Sequence, residues 1–432
     1  MKKQWLTRFL LSFVILWTNF VFAADWPQWR GPNRDGVWSQ TGVVKTFSSP
    51  QLPIRWRAQI ANGYSGPTVA NGFVYVTDRL TEPNEIERVL CFDAATGKAV
   101  WSCQYPCKYQ KIGYPDGPRA SVTINDGRAY SLGTTGLLHC FDALKGTVLW
   151  SKDLNQEYKI RMPIWGIAAS VLVEGNSVIL QIGGDKACMV AFDKTDGREI
   201  WKALDDPASY SSPIMIQQAG KRVCVCLTGN RVVGIDPLTG GLYWEVPFPP
   251  TRGVIAVATP VLKDNFLLVT SFFDGSLMIK VDPDQLAAKE IWRRKGADEQ
   301  HTDGLHCMIS TPVILGDYIY GIDSYGQLRC LKRDTGDHVW ESQTVVPFAR
   351  WATAHLVQNG PHIWMFNERG ELIISKLSPE GYQEISRTKL IEPTTGQLNS
   401  RGGVCWTHPA FAGTCIYVRN DKELICADLS EK

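Results

Sequence analysis

From residue 51 onward the chain is written in short apolar runs broken by polar turns, and no stretch sustains the 3.6-residue period of an amphipathic helix. Thr68-Val69-Ala70 and Phe73-Val74-Tyr75-Val76 flank Asn71-Gly72, the composition of a tight hairpin. Val122-Thr123-Ile124 with Ala129-Tyr130-Ser131, Pro260-Val261-Leu262 with Phe266-Leu267-Leu268-Val269, and Pro312-Val313-Ile314 with Tyr318-Ile319-Tyr320 repeat that arrangement. A second hairpin follows each pair and carries a fixed word. Asp93, Gly97 and Trp101 set its spacing, which returns at Asp142, Gly146 and Trp150, at Asp193, Gly197 and Trp201, and at Asp236, Gly240 and Trp244. Asp282 to Trp292 is two residues longer, and Lys332, Gly336 and Trp340 keep the spacing without the Asp.

Each word has a mechanical reading. The Asp accepts hydrogen bonds from turn amides, the Gly supplies a positive φ, and the Trp offers a large amphipathic surface between neighbouring sheets. With two strands upstream and two around the turn, every unit is a four-stranded antiparallel blade. Units of 43 to 51 residues between successive Trp residues have the period of a propeller rather than of a helical solenoid. A seventh unit begins near Ala352 and carries Ser386 where Trp is expected; an eighth begins near Trp406 and ends at Asp428 without its last strand. Ile54-Arg55-Trp56-Arg57-Ala58-Gln59-Ile60 supplies that strand from the other end of the chain, removing an exposed edge. The fold class expected is all-β, an eight-bladed β-propeller whose ring is closed by an N-terminal strand.

Charge narrows the functional classes. Lys and Arg total 45 against 43 Asp and Glu, which argues against a nucleic-acid partner. Lys2, Lys3 and Arg8 precede an apolar run from Phe9 to Phe22, and Val21-Phe22-Ala23 suits signal cleavage. The domain reading is therefore a signal peptide at 1–23, an N-terminal segment at 24–50 packing on the ring, and the propeller at 51–432. This predicts a periplasmic or secreted protein with no membrane span after cleavage.

The word Asp-x-x-(Thr)-Gly-x-x-x-Trp on such units resembles the pyrroloquinoline quinone (PQQ) repeat of the quinoprotein alcohol dehydrogenase-like superfamily, in its size the BamB-like outer-membrane assembly propellers. Asp25-Trp26-Pro27-Gln28-Trp29-Arg30-Gly31-Pro32-Asn33-Arg34-Asp35-Gly36 is similar to the start of many secreted planctomycete-type PQQ-repeat proteins. The resemblance implies an eight-bladed ring. Its catalytic members hold the quinone over the axis with Ca²⁺, an Asp base and often a disulfide of adjacent cysteines. Here no two Cys are adjacent and no Cys-x-x-Cys-His haem site occurs.

Cys91, Cys140, Cys330 and Cys426 share one column, two residues before the Asp position, where the third unit has Ala191. That pattern predicts small buried thiols, as does the shared strand face of Cys224 and Cys226. Cys103 and Cys107 suit either a disulfide or two free thiols. His301, Asp303 and His306 lie close in one loop, but their spacing is not that of a metal site, and neither a metal nor catalytic residues are assigned.

Segments entering the innermost strands of a propeller converge on its channel. Here they carry Tyr64, Arg119, Arg161, Trp165, Tyr210, Arg252, His306, Arg350, Trp351, Arg401 and Trp406. Guanidinium groups beside flat rings suit a planar or carboxylated ligand or an acidic peptide side chain. The function expected is an exported non-catalytic scaffold of the cell envelope, binding a protein partner or extracellular ligand through one face and needing no cofactor. The alternative is a PQQ-dependent alcohol or sugar dehydrogenase, with PQQ and calcium at the channel mouth.

Overall fold

The computed structural model describes residues 24–49, 51–394 and 402–431. The signal peptide expected at 1–23 and the candidate Arg401 lie outside these residues. Among the described residues, thirty-two strands form eight four-stranded antiparallel sheets. Blade 1 runs through Thr68–Ala70, Phe73–Leu80, Ile86–Asp93 and Ala99–Pro106, and blades 2 to 7 repeat that order from Thr123 to Lys389. Blade 8 joins Ala410–Ala412, Cys415–Arg419 and Glu423–Asp428 to Ile54–Gln59, with Trp56 opposite Cys426. Chain start and chain end therefore share one sheet, and the ring is closed.

The repeated word explains how neighbouring blades hold together. Asp93 Oδ1 accepts from Ala95 N at 3.1 Å and Thr96 N at 2.8 Å, and Asp142 treats Leu144 and Lys145 alike. Gly97 has φ +71, and a methyl group there would sit 2.6 Å from the Trp56 ring. Gly146, Gly197, Gly240 and Gly336 likewise seat Trp101, Trp150, Trp201 and Trp292. The glycine is thus a docking seat for the indole of the preceding blade as well as a turn residue. Each indole then donates to a carbonyl of the next blade: Trp56 to Ala94 (2.8 Å), Trp101 to Ala143 (2.9 Å), Trp150 to Lys194 (3.3 Å), Trp201 to Pro237 (3.0 Å), Trp292 to Arg333 (2.7 Å) and Trp340 to Ser378 (2.9 Å).

Trp244 departs from this rule because the blade 5 turn is longer and lacks the glycine. Gln218 bridges the difference: its Oε1 accepts from Trp244 at 2.8 Å, while its Nε2 donates to the carbonyls of Asp282, Gln285 and Ala287. In blade 7, Ser386 in the Trp position accepts from Phe47 N at 2.8 Å. Phe47 and Trp38 pack on Trp364, and Trp38 on Phe411, so the N-terminal segment fills the seam left by the missing indole.

The same segment crosses one end of the central channel. Trp26 pairs with Val69 of blade 1, Pro27 accepts from Ile124 of blade 2, and Trp29 Nε1 donates to Thr259 of blade 5 at 2.7 Å. Arg34 donates to the carbonyls of Ser170 and Val171 in blade 3 and Pro213 in blade 4. Trp38 binds Gln358 of blade 7 and Gly413 of blade 8. No helix among the described residues is long and apolar enough to cross a membrane.

All the cysteines are free thiols, and the four in the shared column are buried. Burial pushes the Cys91 thiol up to about 12 and those of Cys140 and Cys330 up to about 11. No bridge joins Cys103 to Cys107. Cys103 lies within the extended strand Ala99–Pro106, and residues four apart in a strand are about 13 Å apart, beyond the roughly 7 Å a disulfide spans. Cys107 instead contacts Thr135 Oγ1 at 3.2 Å.

Candidate functional site

The antiparallel order sends the connections between blades, and hence the entry to each innermost strand, to the face opposite the Asp-Gly turns and the N-terminal segment. At that face the channel opens as a recess of about 120 Å³. Its floor is Trp29 and His408; Ser170 and Ser212 belong to its lower wall. Those hydroxyls also tie the blades together, Ser170 Oγ accepting from Ser121 N at 3.1 Å and Ser212 Oγ from Ser170 N at 2.9 Å.

The upper wall is aromatic. Tyr114 stands among Trp165, Trp351 and Trp406, with ring centroids 5.9, 5.7 and 6.1 Å away and edge-to-face geometry. Trp165 also packs on Tyr210 at 5.0 Å. Val257, Met308 and Ile309 complete an apolar lining, and Tyr64 and Arg119 stand at one side. Of the residues expected at the mouth, the ring therefore brings together Tyr64, Arg119, Trp165, Tyr210, Trp351 and Trp406.

The remaining candidates sit elsewhere. Arg252 and Arg350 lie on the rim and share Glu299, at 3.5 and 2.6 Å. Arg350 also lies 4.6 Å over the Trp351 ring. Arg161 pairs with Asp205 at 2.8 Å. His306 is buried against the Phe272 carbonyl at 2.9 Å, and burial lowers its pKa; it is absent from the recess lining. His301 faces Asp298 and Asp303 faces Arg294, so the three loop residues do not converge.

Arg119 is spent on the protein itself. It donates to the carbonyls of Gly113, Tyr114 and Gly117 and lies 4.9 Å over the Tyr64 ring. Arg79 reaches Pro115 O, and Tyr109 hydroxyl donates to the buried Glu87. These contacts pin the connection from blade 1 to blade 2 and hold Tyr114 in place with φ +52. Tyr114, Trp29, Met308 and His408 are lining residues that the repeat pattern did not single out. Tyr114 belongs to a long connection and Trp29 to the segment beneath the ring, so neither lies in a repeated column.

The donor set does not suit PQQ. The recess is lined chiefly by aromatic and aliphatic side chains, whereas the quinone carries three carboxylates that need cationic or hydrogen-bonding partners. Arg119 is committed to carbonyls and Arg350 to Glu299. Among the described residues, no group of three or more His, Cys, Asp or Glu side chains is placed to hold a metal.

Comparison with known proteins agrees with the architecture. A family model described as outer membrane protein assembly factor BamB matches residues 85–342. The outer membrane protein assembly factor BamB of Shewanella oneidensis is 23% identical over 292 residues, covering 62% of this chain and 70% of that protein. Among solved structures, BamB from Moraxella catarrhalis aligns with a TM-score of 0.58 at 15% identity, over 87% of this chain and 99% of that one. Quinohemoprotein alcohol dehydrogenase from Comamonas testosteroni aligns with a TM-score of 0.65 at 13% identity, over 95% of this chain and 81% of that one. At such identities the structural likeness speaks for the fold alone.

Proposed function

The chain belongs to the family described as outer membrane protein assembly factor BamB, and from that premise we propose an exported, non-catalytic scaffold of the cell envelope that binds a protein partner through the mouth face of its ring. One observation carries this reading. The channel is stopped at one end by the protein's own residues 26–38, and at the other it offers an open, largely aromatic recess, with Ile164 and Phe348 exposed on connections at that same face. Apolar side chains around a shallow aromatic recess suit a protein surface.

The dehydrogenase reading draws support from the quinohemoprotein neighbour, whose fold is shared. The committed arginines and the largely apolar lining of the recess weigh against it.

The reading is tested by photo-crosslinking in the native envelope from p-benzoylphenylalanine at position 348 on the mouth face and at position 238 on the opposite face. Residue 238 is a Leu exposed at 70% in the Asp236–Gly240 turn, so both positions are accessible. A discrete protein adduct from 348 alone is expected. Adducts from 238 alone, or from neither position, would contradict the proposal.

A further inference from the structure

We infer that the N-terminal segment is an acid-released seal: protonation of His355 and His408 frees residues 26–38 from the ring and opens the channel at that end. The placement of these two buried imidazoles carries the inference. His355 of blade 7 and His408 of blade 8 lie with ring centroids 4.9 Å apart. The segment closes over them. His408 stacks on Trp26 at 6.1 Å and packs on Trp29 at 5.1 Å, and the buried Arg30 guanidinium stands near both imidazoles. Nδ1 of His408 donates to the Pro409 carbonyl at 2.6 Å and Nε2 of His355 to that of Trp406 at 2.7 Å, so an added proton must go to the other nitrogen of each ring. In His408 that atom is Nε2, which is buried and has no hydrogen-bond partner among the described residues. A proton placed there finds no acceptor, and its charge meets a second imidazole and a guanidinium.

Among the described residues no carboxylate acts on either ring. The charged and titratable groups that face them are each other, on blades 7 and 8, and Arg30 of the segment; blade 1 contributes Gly66, packed on the His408 carbonyl. Asp35, beside Arg30, is exposed and caps Val37 N, and the mouth carboxylates Asp116, Glu368 and Asp421 accept from Tyr64, Trp406 and Thr394. Burial above all, with Arg30 and the neighbouring imidazole adding to it, keeps His408 neutral while the seal is closed; burial and Arg30 do the same for His355. Once the segment leaves, both rings meet water and take up protons near the ordinary value of about 6.5. The released form thus binds protons that the sealed form does not, and its share rises by up to about tenfold per pH unit for each ring as the pH falls below that value. Release does not require the ring to open. The segment is held by isolated bridges, single hydrogen bonds and side chains, whereas the ring is closed by Ile54–Gln59 within blade 8.

The test follows amide exchange of the purified full chain by NMR at pH 7.5 and 5, expressed as protection factors so that the intrinsic effect of pH on exchange cancels. The amides of Trp26, Trp38, Val69 and Ile124 bond between segment and ring. Their protection is expected to fall at least about tenfold between the two pH values, while that of the buried blade 3 strand Ser177–Gly184 falls less than about twofold. Replacing both rings, His355→Gln with His408→Gln, is expected to abolish the fall. Protection of the four amides that does not change with pH, or that falls in step with the blade 3 strand, overturns the inference, and so does an undiminished fall in the double variant. The comparison within the unmodified chain decides by itself should that variant fail to fold.

Discussion

Gly97 and Gly72 have similar backbones, φ +71 and +82, yet only Gly97 has an indole pressed against the place a methyl group would take. Gly72→Ala therefore costs the left-handed penalty alone, about 1 kcal/mol. Gly97→Ala also unseats Trp56 at the closing seam and is predicted to cost at least about 2 kcal/mol more. Urea unfolding of the two variants checks this, and equal losses would contradict the docking-seat account. Gln218→Ala leaves Trp244 and three turn carbonyls without a partner and should cost about 2–3 kcal/mol in the same assay. A loss below about 0.5 kcal/mol would show that the bridge is dispensable. The Asp, Gly and Trp of each word were legible in the sequence because their spacing is local and repeated. Gln218 was not, since its role arises only where a longer turn meets the preceding blade.

Buried histidines add a dependence on pH. Burial holds His139 and His355 at about 4 and His408 lower still, against an ordinary value of 6.5. Nδ1 of His408 faces the Pro409 carbonyl, which fixes the neutral tautomer. The unfolded chain protonates these rings near pH 6.5 while the folded protein does not, so unfolding takes up protons between about pH 6.5 and 4. Stability is complete above that window and falls as the pH drops through it, by up to ~1.4 kcal/mol per pH unit for each ring. Urea midpoints at pH 7.5 and 5 should differ accordingly, and identical midpoints would contradict neutral burial.

Among the elements, the N-terminal segment does the most varied work. Residues 26–38 bind blades 1, 2, 3, 4, 5, 7 and 8 across the end of the channel, whereas no hydrogen bond to blade 6 is found among the described residues. Deleting residues 24–38 is predicted to raise amide exchange in the innermost strands of blades 1, 3 and 7, with the smallest rise in Val313–Leu315 of blade 6. A uniform rise around the ring would contradict the idea that this segment staples particular blades. Its opening motif was legible as a resemblance, but its path was not, because it has no strand pattern and its partners are scattered backbone carbonyls. The connection carrying Tyr114 escaped for a related reason. Its course is set by Arg79, Arg119 and Glu87, and the last of these lies in a strand of another part of blade 1.

At the scale of the whole molecule, ring count and closure followed from the repeat, because eight copies leave one strand missing at each accounting of the last blade and Trp56 supplies it. The site was only half legible. Convergence of entry segments pointed to Tyr64, Arg119, Trp165, Tyr210, Trp351 and Trp406, which line one recess, but also to Arg252 and Arg350, which stay on the rim, and to His306, which packs inside a blade. Sequence position places a residue near the axis; it does not say whether a guanidinium remains free once neighbouring carbonyls are in reach.

The account's central claim is that this mouth receives part of a protein rather than a redox cofactor. The most direct measurement mixes the purified chain with excess PQQ and Ca²⁺, removes unbound quinone by desalting, and follows quinone absorbance together with alcohol- and sugar-dependent dye reduction. The account predicts that neither retained quinone nor turnover is found; a stoichiometric quinone complex that reduces the dye with either substrate would contradict it.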